Sequence, residues 1–357
     1  MRNYLNLFAI VLALSLGGCS SSDTPPVPEP GDKPFQVIMI TDVGGLGDHG
    51  FNDAGWAGCQ EAQRRLLERG QACEIKVIES REQTDFAENL SLAAERADVV
   101  ISLGFLITDA VTQVAPQYPD KAFILADGLV EQPNVASILF AEEEGGFLAG
   151  LLASFVTHTD TLAVLPGMDI PPVLAFAAGY KAGALTGAKL QNKKITVLSS
   201  TIGSFTDPVK AKSLSLQLIS QKADVLFQLA GISGLGVIEA VKESPDRCFA
   251  IGVDIDQDAI APGKVLTSVL KKNDRVVADQ IVAVADDTFS GGVHRVGLKE
   301  EYLGLTEMPH TKHLVPQTAW PALEGAKTLI ASGQIQIPRT EEALASFVPP
   351  VEQIQAP

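Results

Sequence analysis

The sequence is poor in positive charge. Its 27 lysines and arginines face 43 aspartates and glutamates, a formal charge of −16 over 357 residues. Such a surface excludes nucleic-acid backbones and anionic membrane surfaces as partners. Cysteine is scarce, with four residues and no C-x-x-C spacing, and only five histidines occur. The one close histidine pair, His310 and His313, has no cysteine or carboxylate cluster beside it and reads as a solvated loop rather than a metal site. No metal and no cofactor is expected. Long apolar runs are also missing beyond the extreme N-terminus, despite a mean hydropathy of +0.18. That absence excludes an integral multi-span protein.

The N-terminal run is MRNYLNLFAIVLALSLGGC. Arg2 and a short apolar stretch make a signal peptide over residues 1–18, and Leu16-Gly17-Gly18-Cys19 resembles a bacterial lipobox. Cys19 is therefore expected to carry the lipid. Residues 19–34 follow as a Pro/Ser-rich tether, with five prolines between Ser20 and Pro34. It holds too few apolar side chains to order itself and reaches about 45 Å at roughly 3.1 Å per residue. The expected location is the bacterial cell envelope, lipid-anchored and facing the periplasm or the exterior. An exported compartment permits disulfides. Cys59 and Cys73, near the end of the first helix, are the candidate pair, closing a short loop worth about 3 kcal/mol; Cys248 is expected as a buried thiol.

From Phe35 onward, short β-branched runs alternate with amphipathic stretches. FQVIMITD (35–42), EIKVIES (74–80), DVVISLG (98–104), KAFILAD (121–127) and VASILF (135–140) form one series. TLAVLPG (161–167), KITVLSS (194–200), ADVLFQLAG (223–231) and CFAIGVD (248–254) form a second. KVLTSVL (264–270) adds a strand whose sheet the pattern leaves open, and VVADQIVAVADD adds a helix. Continuous apolar strands separated by helices predict two α/β lobes, each a parallel sheet covered on both faces. Open parallel sheets bind ligands beyond the C-terminal ends of their strands. The residues there are Asp42 and its glycine loop, Gly104 to Asp109, Gly203 to Asp207, Gly231 to Gly236, and Asp254. Glycine permits close approach, carboxylates accept hydrogen bonds, and phenylalanine offers a stacking face. GISGLG (231–236) has the spacing GxxGxG, which is not a dinucleotide fingerprint. Glu142-Glu143-Glu144 reads as an acidic helix N-terminus favoured by the macrodipole.

These strand-end motifs resemble the basic membrane protein family of substrate-binding lipoproteins of ABC transporters, of the purine-nucleoside receptor type. The matching stretches are DVGGLGDHGFNDAGWAG (42–58), GFLITDAV (104–111), FAEEEGGFLAG (140–150), GSFTDPVKAK (203–212), ADVLFQLAGISGLGVIEA (223–240), IGVDIDQ (251–257) and VLTSVLKKND (265–274). The resemblance implies a two-lobed type I periplasmic-binding-protein fold with three hinge crossings. It places 35–140 plus about 258–288 in the first lobe, and 141–257 plus about 289–357 in the second. It implies a binding protein rather than an enzyme, probing adenosine, guanosine or inosine and handing them to an ABC-transporter permease, as a monomer tied to the membrane only by its lipid. Phe51 and Phe205 would sandwich the base. Asp42, Asp109 and Asn52 would bond its edge, and Asp254, Lys271 and the backbone at Gly231 would hold the ribose. Two departures stand out: Ile232 where a second glycine is common, and Gly-Asp-His-Gly before Phe51 in place of an acidic-acidic-Lys-Ser stretch. Competing readings on the same residues are a sensor or sugar receptor of this fold, and a nucleoside hydrolase using Asp42, Asp48 and Asp53 as a metal-bound cluster.

Overall fold

The computed structural model describes residues 33–244 and 247–355. The signal peptide, Cys19 and nearly all of the tether lie outside the described residues.

The first lobe holds β1 (Phe35–Ile40), α1 (Phe51–Glu68), β2 (Cys73–Ile78), α2 (Phe86–Ala94), β3 (Val99–Leu103), α3 (Thr108–Val114), β4 (Ala122–Ala126) and β5 (Val135–Phe140). The second opens with α4 (Glu142–Val156), β6 (Thr161–Pro166), α5 (Pro171–Leu190), β7 (Thr196–Ser199), α6 (Pro208–Ser220), β8 (Val225–Leu229), α7 (Ser233–Glu243), β9 (Phe249–Asp254) and β10 (Val265–Lys271). The chain then alternates through α8 (Asn273–Ala285), β11 (Gly292–Val296), β12 (Leu303–Leu305), α9 (Ala319–Ala331), α10 (Glu341–Ala345) and α11 (Val351–Gln355). The sheet orders are β11-β5-β4-β3-β1-β2 and β12-β10-β9-β8-β6-β7. All pairings are parallel except β10–β12, where β12 closes the second sheet as an antiparallel edge.

Alternate residues of each strand enter different cores, which is why the strands read as unbroken apolar runs. Val37 and Met39 of β1 pack with Cys59, Ala62 and Leu66 of α1. Ile38 and Ile40 pack with Phe86 and Leu90 of α2 and Val111 of α3. The second sheet repeats the arrangement, with Leu162 and Val164 toward α5 and Ala163 and Leu165 toward α6 and α7.

The lobe boundaries differ from those implied by the resemblance. Strand β10 pairs with β9 in the second sheet, Ser268 opposite Gly252, so 258–271 stays in the second lobe. The chain returns to the first lobe only at α8, which packs on α1. Strand β11 then pairs with β5, so part of 289–357 belongs to the first lobe. An apolar strand fits either sheet equally well, and neither composition nor length announces its neighbour. The crossings are three: before α4, between β10 and α8, and between β11 and β12.

Helices α4 and α5 touch backbone to backbone. A Cβ at Gly150 would stand 1.9 Å from the Tyr180 carbonyl oxygen, and one at Gly183 would stand 2.0 Å from that of Phe147. Only glycine fits such an approach.

The expected Cys59–Cys73 disulfide is absent. Both are buried thiols. Cys59 faces inward against Met39, Sγ to Sδ 4.0 Å, whereas Gln63, one turn further along α1, reaches the Cys73 carbonyl at 2.8 Å. The helix therefore presents the wrong turn to Cys73 for a bridge. Burial raises both thiol pKa values, Cys73 to about 11.

Candidate functional site between the lobes

The C-terminal ends of both sheets face one another across a cavity. It is lined by Asp42, Phe51, Asn52, Phe205, Gly231, Asp254 and Lys271, together with Asp127, Phe176 and the Phe105-Leu106 turn. Seven of the residues singled out in the sequence thus meet in one place. Asp109 does not: it is exposed on the first turn of α3 and makes no cap bond.

The loop after β1 is built around two carboxylates, Asp48 and Asp53. Asp48 accepts from the backbone N–H groups of Gly50, Asn52 and Asp53 and from Asn52 Nδ2. Asp53 accepts from the N–H groups of Gly47 and His49. Asp53 fixes the loop, and Asp48 satisfies orphan donors at the N-terminus of α1. Among the described residues no group of histidines, cysteines and carboxylates is arranged to hold a metal. Of the three carboxylates in the hydrolase reading, Asp48 and Asp53 are thus committed to backbone N–H groups.

Asn52 is 1% exposed and equally committed. Its Oδ1 accepts from the Asp42 N–H at 3.1 Å, and its Nδ2 donates to Asp42 Oδ1 at 2.7 Å and to Asp48 Oδ2 at 3.0 Å. Asp42 Oδ1 also accepts from the Gly44 N–H. Asp42 Oδ2 has no hydrogen bond among the described residues and is left to the cavity. Burial pushes the Asp42 carboxyl up to about 6, against the lowering effect of Asn52 and Gly44.

The opposite wall comes from the second lobe. Phe205 sits before α6, where Asp207 caps the helix by accepting from Lys210 N. Gly167 makes room for its ring, since a Cβ there would lie 2.5 Å from two ring carbons. Asp254 ends β9 in the left-handed region, φ 70°. Its carboxylate makes no hydrogen bond among the described residues, and burial pushes it up to about 7 while Lys271 pulls the other way.

Lys271 is 2% exposed at the end of β10 and is the one cation lining the cavity among the described residues. Its ammonium donates to Asp127 Oδ2 at 2.5 Å across the lobe boundary and to Glu142 Oε1 at 3.4 Å. It also stands 4.7 Å from the Phe140 ring centre and 5.2 Å from that of Phe51. Burial alone would depress its pKa; Asp127, Glu142 and Asp254 outweigh burial, and the pKa is raised.

Asp127 escaped the sequence reading, though the signal was present: it ends KAFILAD as Asp42 and Asp254 end their strands. Its φ is 67°, and its Oδ1 is buried without a partner. The acidic run forms the first turn of α4, as expected. Glu142 and Glu143 are also buried, their pKa values raised by burial, and Arg339 and Arg295 pair with them.

Two sheets whose strand ends enclose a cavity, joined by three crossings, define the two-lobed architecture of the periplasmic-binding type. The comparisons agree. A solute-binding protein of an ABC transporter system from Aeropyrum pernix K1 superposes with a TM-score of 0.81 at 26% identity, over 90% of this chain and 98% of that one. An uncharacterized lipoprotein of Pyrococcus horikoshii is 34% identical over 86% of this chain and 78% of its own. An ABC transporter nucleoside-binding protein of Lactococcus lactis is 28% identical over 94% and 97%. The model of the family described as ABC transporter substrate-binding protein PnrA-like matches residues 35–341. The chain belongs to that family, whose role is substrate binding for ABC transporters. Among the described residues no helix is long and apolar enough to cross a membrane.

Proposed function

We propose that this protein captures a nucleoside of the purine class in the interlobe cavity and delivers it to an ABC-transporter permease, acting as a lipoprotein held at the cell envelope through Cys19. The observation that carries the reading is the pairing of Phe51 from the first lobe with Phe205 from the second around one cavity. Flat faces on two sides suit a planar base, and the free Asp42 Oδ2 suits a base edge that donates hydrogen bonds. Asp127, not Asp109, is the first-lobe carboxylate placed to join it. Asp254 and Lys271 line the same cavity and suit sugar hydroxyls. The name of the Lactococcus relative supports the ligand class. Closure follows only if the ligand binds the closed form better than the open one, and a stacking pair divided between lobes supplies that difference.

Calorimetry with adenosine, guanosine, inosine, cytidine and ribose tests the reading. Base–aromatic stacking contributes about 1–3 kcal/mol, so Phe51→Ala or Phe205→Ala weakens nucleoside binding by roughly 5- to 150-fold. Ribose bound as tightly as the nucleosides, or both variants retaining wild-type affinity, overturns it in favour of a sugar receptor.

A further inference from the structure

From the cavity wall at Ala230 a buried chain of amide hydrogen bonds runs behind the cavity, through two glutamines that do not line it. The Ala230 N–H donates to Gln228 Oε1 at 3.1 Å, Gln228 Nε2 donates to Gln257 Oε1 at 2.8 Å, and Gln257 Nε2 donates to the His49 carbonyl at 2.8 Å. Gln228 and Gln257 are 0% and 2% exposed. The last bond crosses the lobe boundary, since His49 lies in the β1–α1 loop of the first lobe.

Both ends of this relay are fixed. His49 stands at φ 48°, with its N–H held by Asp53 Oδ2. That left-handed turn belongs to the same loop that delivers Phe51. At the other end, Ala230 immediately precedes Gly231 in the cavity wall. Gln257 is anchored further by its N–H to Ser268 Oγ at 3.0 Å, and its Oε1 also accepts from the Val253 N–H at 3.3 Å. Two glycines make the room. A Cβ at Gly234 would lie 2.0 Å from Gln228 Oε1, and one at Gly252 would lie 2.6 Å from Gln257 Oε1. A buried polar network is stable only when its members are satisfied, and here the last donor finds its acceptor in the other lobe.

We infer that Gln257 is the latch of the closed form: a positioning residue that bonds the first lobe only when the lobes have come together, and holds the ligand by slowing reopening without touching it. The inference rests on the interlobe reading of the site but not on the identity of the ligand. Because the acceptor is a main-chain carbonyl, the latch is independent of the side chain at 49.

Gln257→Glu is the selective perturbation. It keeps an oxygen to accept from Gln228 and Val253 inside the second lobe and removes the donor to His49. Gln257→Met removes both functions and serves as the comparison. Stopped-flow dissociation of adenosine, guanosine and inosine at pH 7.5 is the readout. The expected result is dissociation about 3- to 10-fold faster, the range of one net hydrogen bond, by the same factor for all three ligands and with little change in association. A wild-type dissociation rate in Gln257→Glu, or a factor that differs among the ligands more than threefold, overturns the latch. If wild-type protein binds none of the three, the nucleoside reading fails separately. Spin labels at the exposed positions 88 and 242, one on each lobe, then test the latch without ligand. The closed interlobe distance must lose population in Gln257→Glu, and an unchanged distribution overturns it.

Discussion

Replacing Lys271 with methionine keeps the length and apolar stem of the side chain and deletes its charge. In the native protein that charge is 2% exposed and bonded to Asp127 at 2.5 Å and Glu142 at 3.4 Å. A surface ion pair contributes about 0–1 kcal/mol. Removing one partner of a buried pair costs about 3–5 kcal/mol, because the other partner is left charged and desolvated. The loss must depend on pH, and its sign is determined. Lys271 pulls the pKa values of Asp254 and Glu142 down against the larger effect of burial; without it both rise further. A carboxyl whose pKa is higher folded than unfolded binds more protons in the folded state, so its contribution to stability falls as pH rises between the two values. The deficit of the variant is therefore greatest near pH 8 and shrinks toward pH 5, where the carboxyls approach neutrality. Urea unfolding of both proteins at pH 8 and pH 5, followed by circular dichroism with the m-values compared, measures it. A deficit below about 1 kcal/mol at pH 8, or one equal at both pH values, would refute the reasoning, since either outcome means that the ammonium is not balancing buried carboxylates.

Two further outcomes follow from the chain itself. Gly150→Ala forces α4 and α5 apart and costs about 1–3 kcal/mol or more, whereas Gly304→Ala, whose Cβ would meet nothing within 4 Å, leaves stability nearly unchanged; equal melting temperatures for the two would contradict the packing described. Cys19→Ala moves the protein from the membrane to the soluble fraction, and an unchanged membrane fraction removes the lipid anchor from the reading.

Much of the site was legible because parallel strands of both sheets end at the cleft, so that a polar residue closing an apolar run points there. Asp42 and Asp254 follow from that rule; Lys271, which also closes its strand, came only from the family resemblance. Asp127 obeys it too, closing KAFILAD as Asp42 closes FQVIMITD. Phe176 gave no signal, since α5 is apolar around most of its circumference and one cavity-facing ring is indistinguishable from a packed one. Asp109 misled because a carboxylate just after a strand-end glycine turn can face the cleft or cap a helix, and two residues of helical rotation decide between them. Strand β10 was visible as a strand, but pairing is a long-range choice that its own residues do not record. Asn52 and Asp48 were recognised by position, while their work, holding the loop rather than a ligand or metal, depends on backbone geometry that no motif spells out.

The contact between α4 and α5 bears on how the molecule opens. Helix α4 begins at the first crossing, and its opening glutamates receive Lys271, Arg295 and Arg339. With main chain lying against main chain, α4 has no side-chain layer on which to slide or roll over α5. In any turning of the lobes, α4 and α5 must therefore travel together as one piece. A substitution in the glycine seam, at Gly150 or Gly183, would alter opening by loosening that piece, away from the residues that line the cavity.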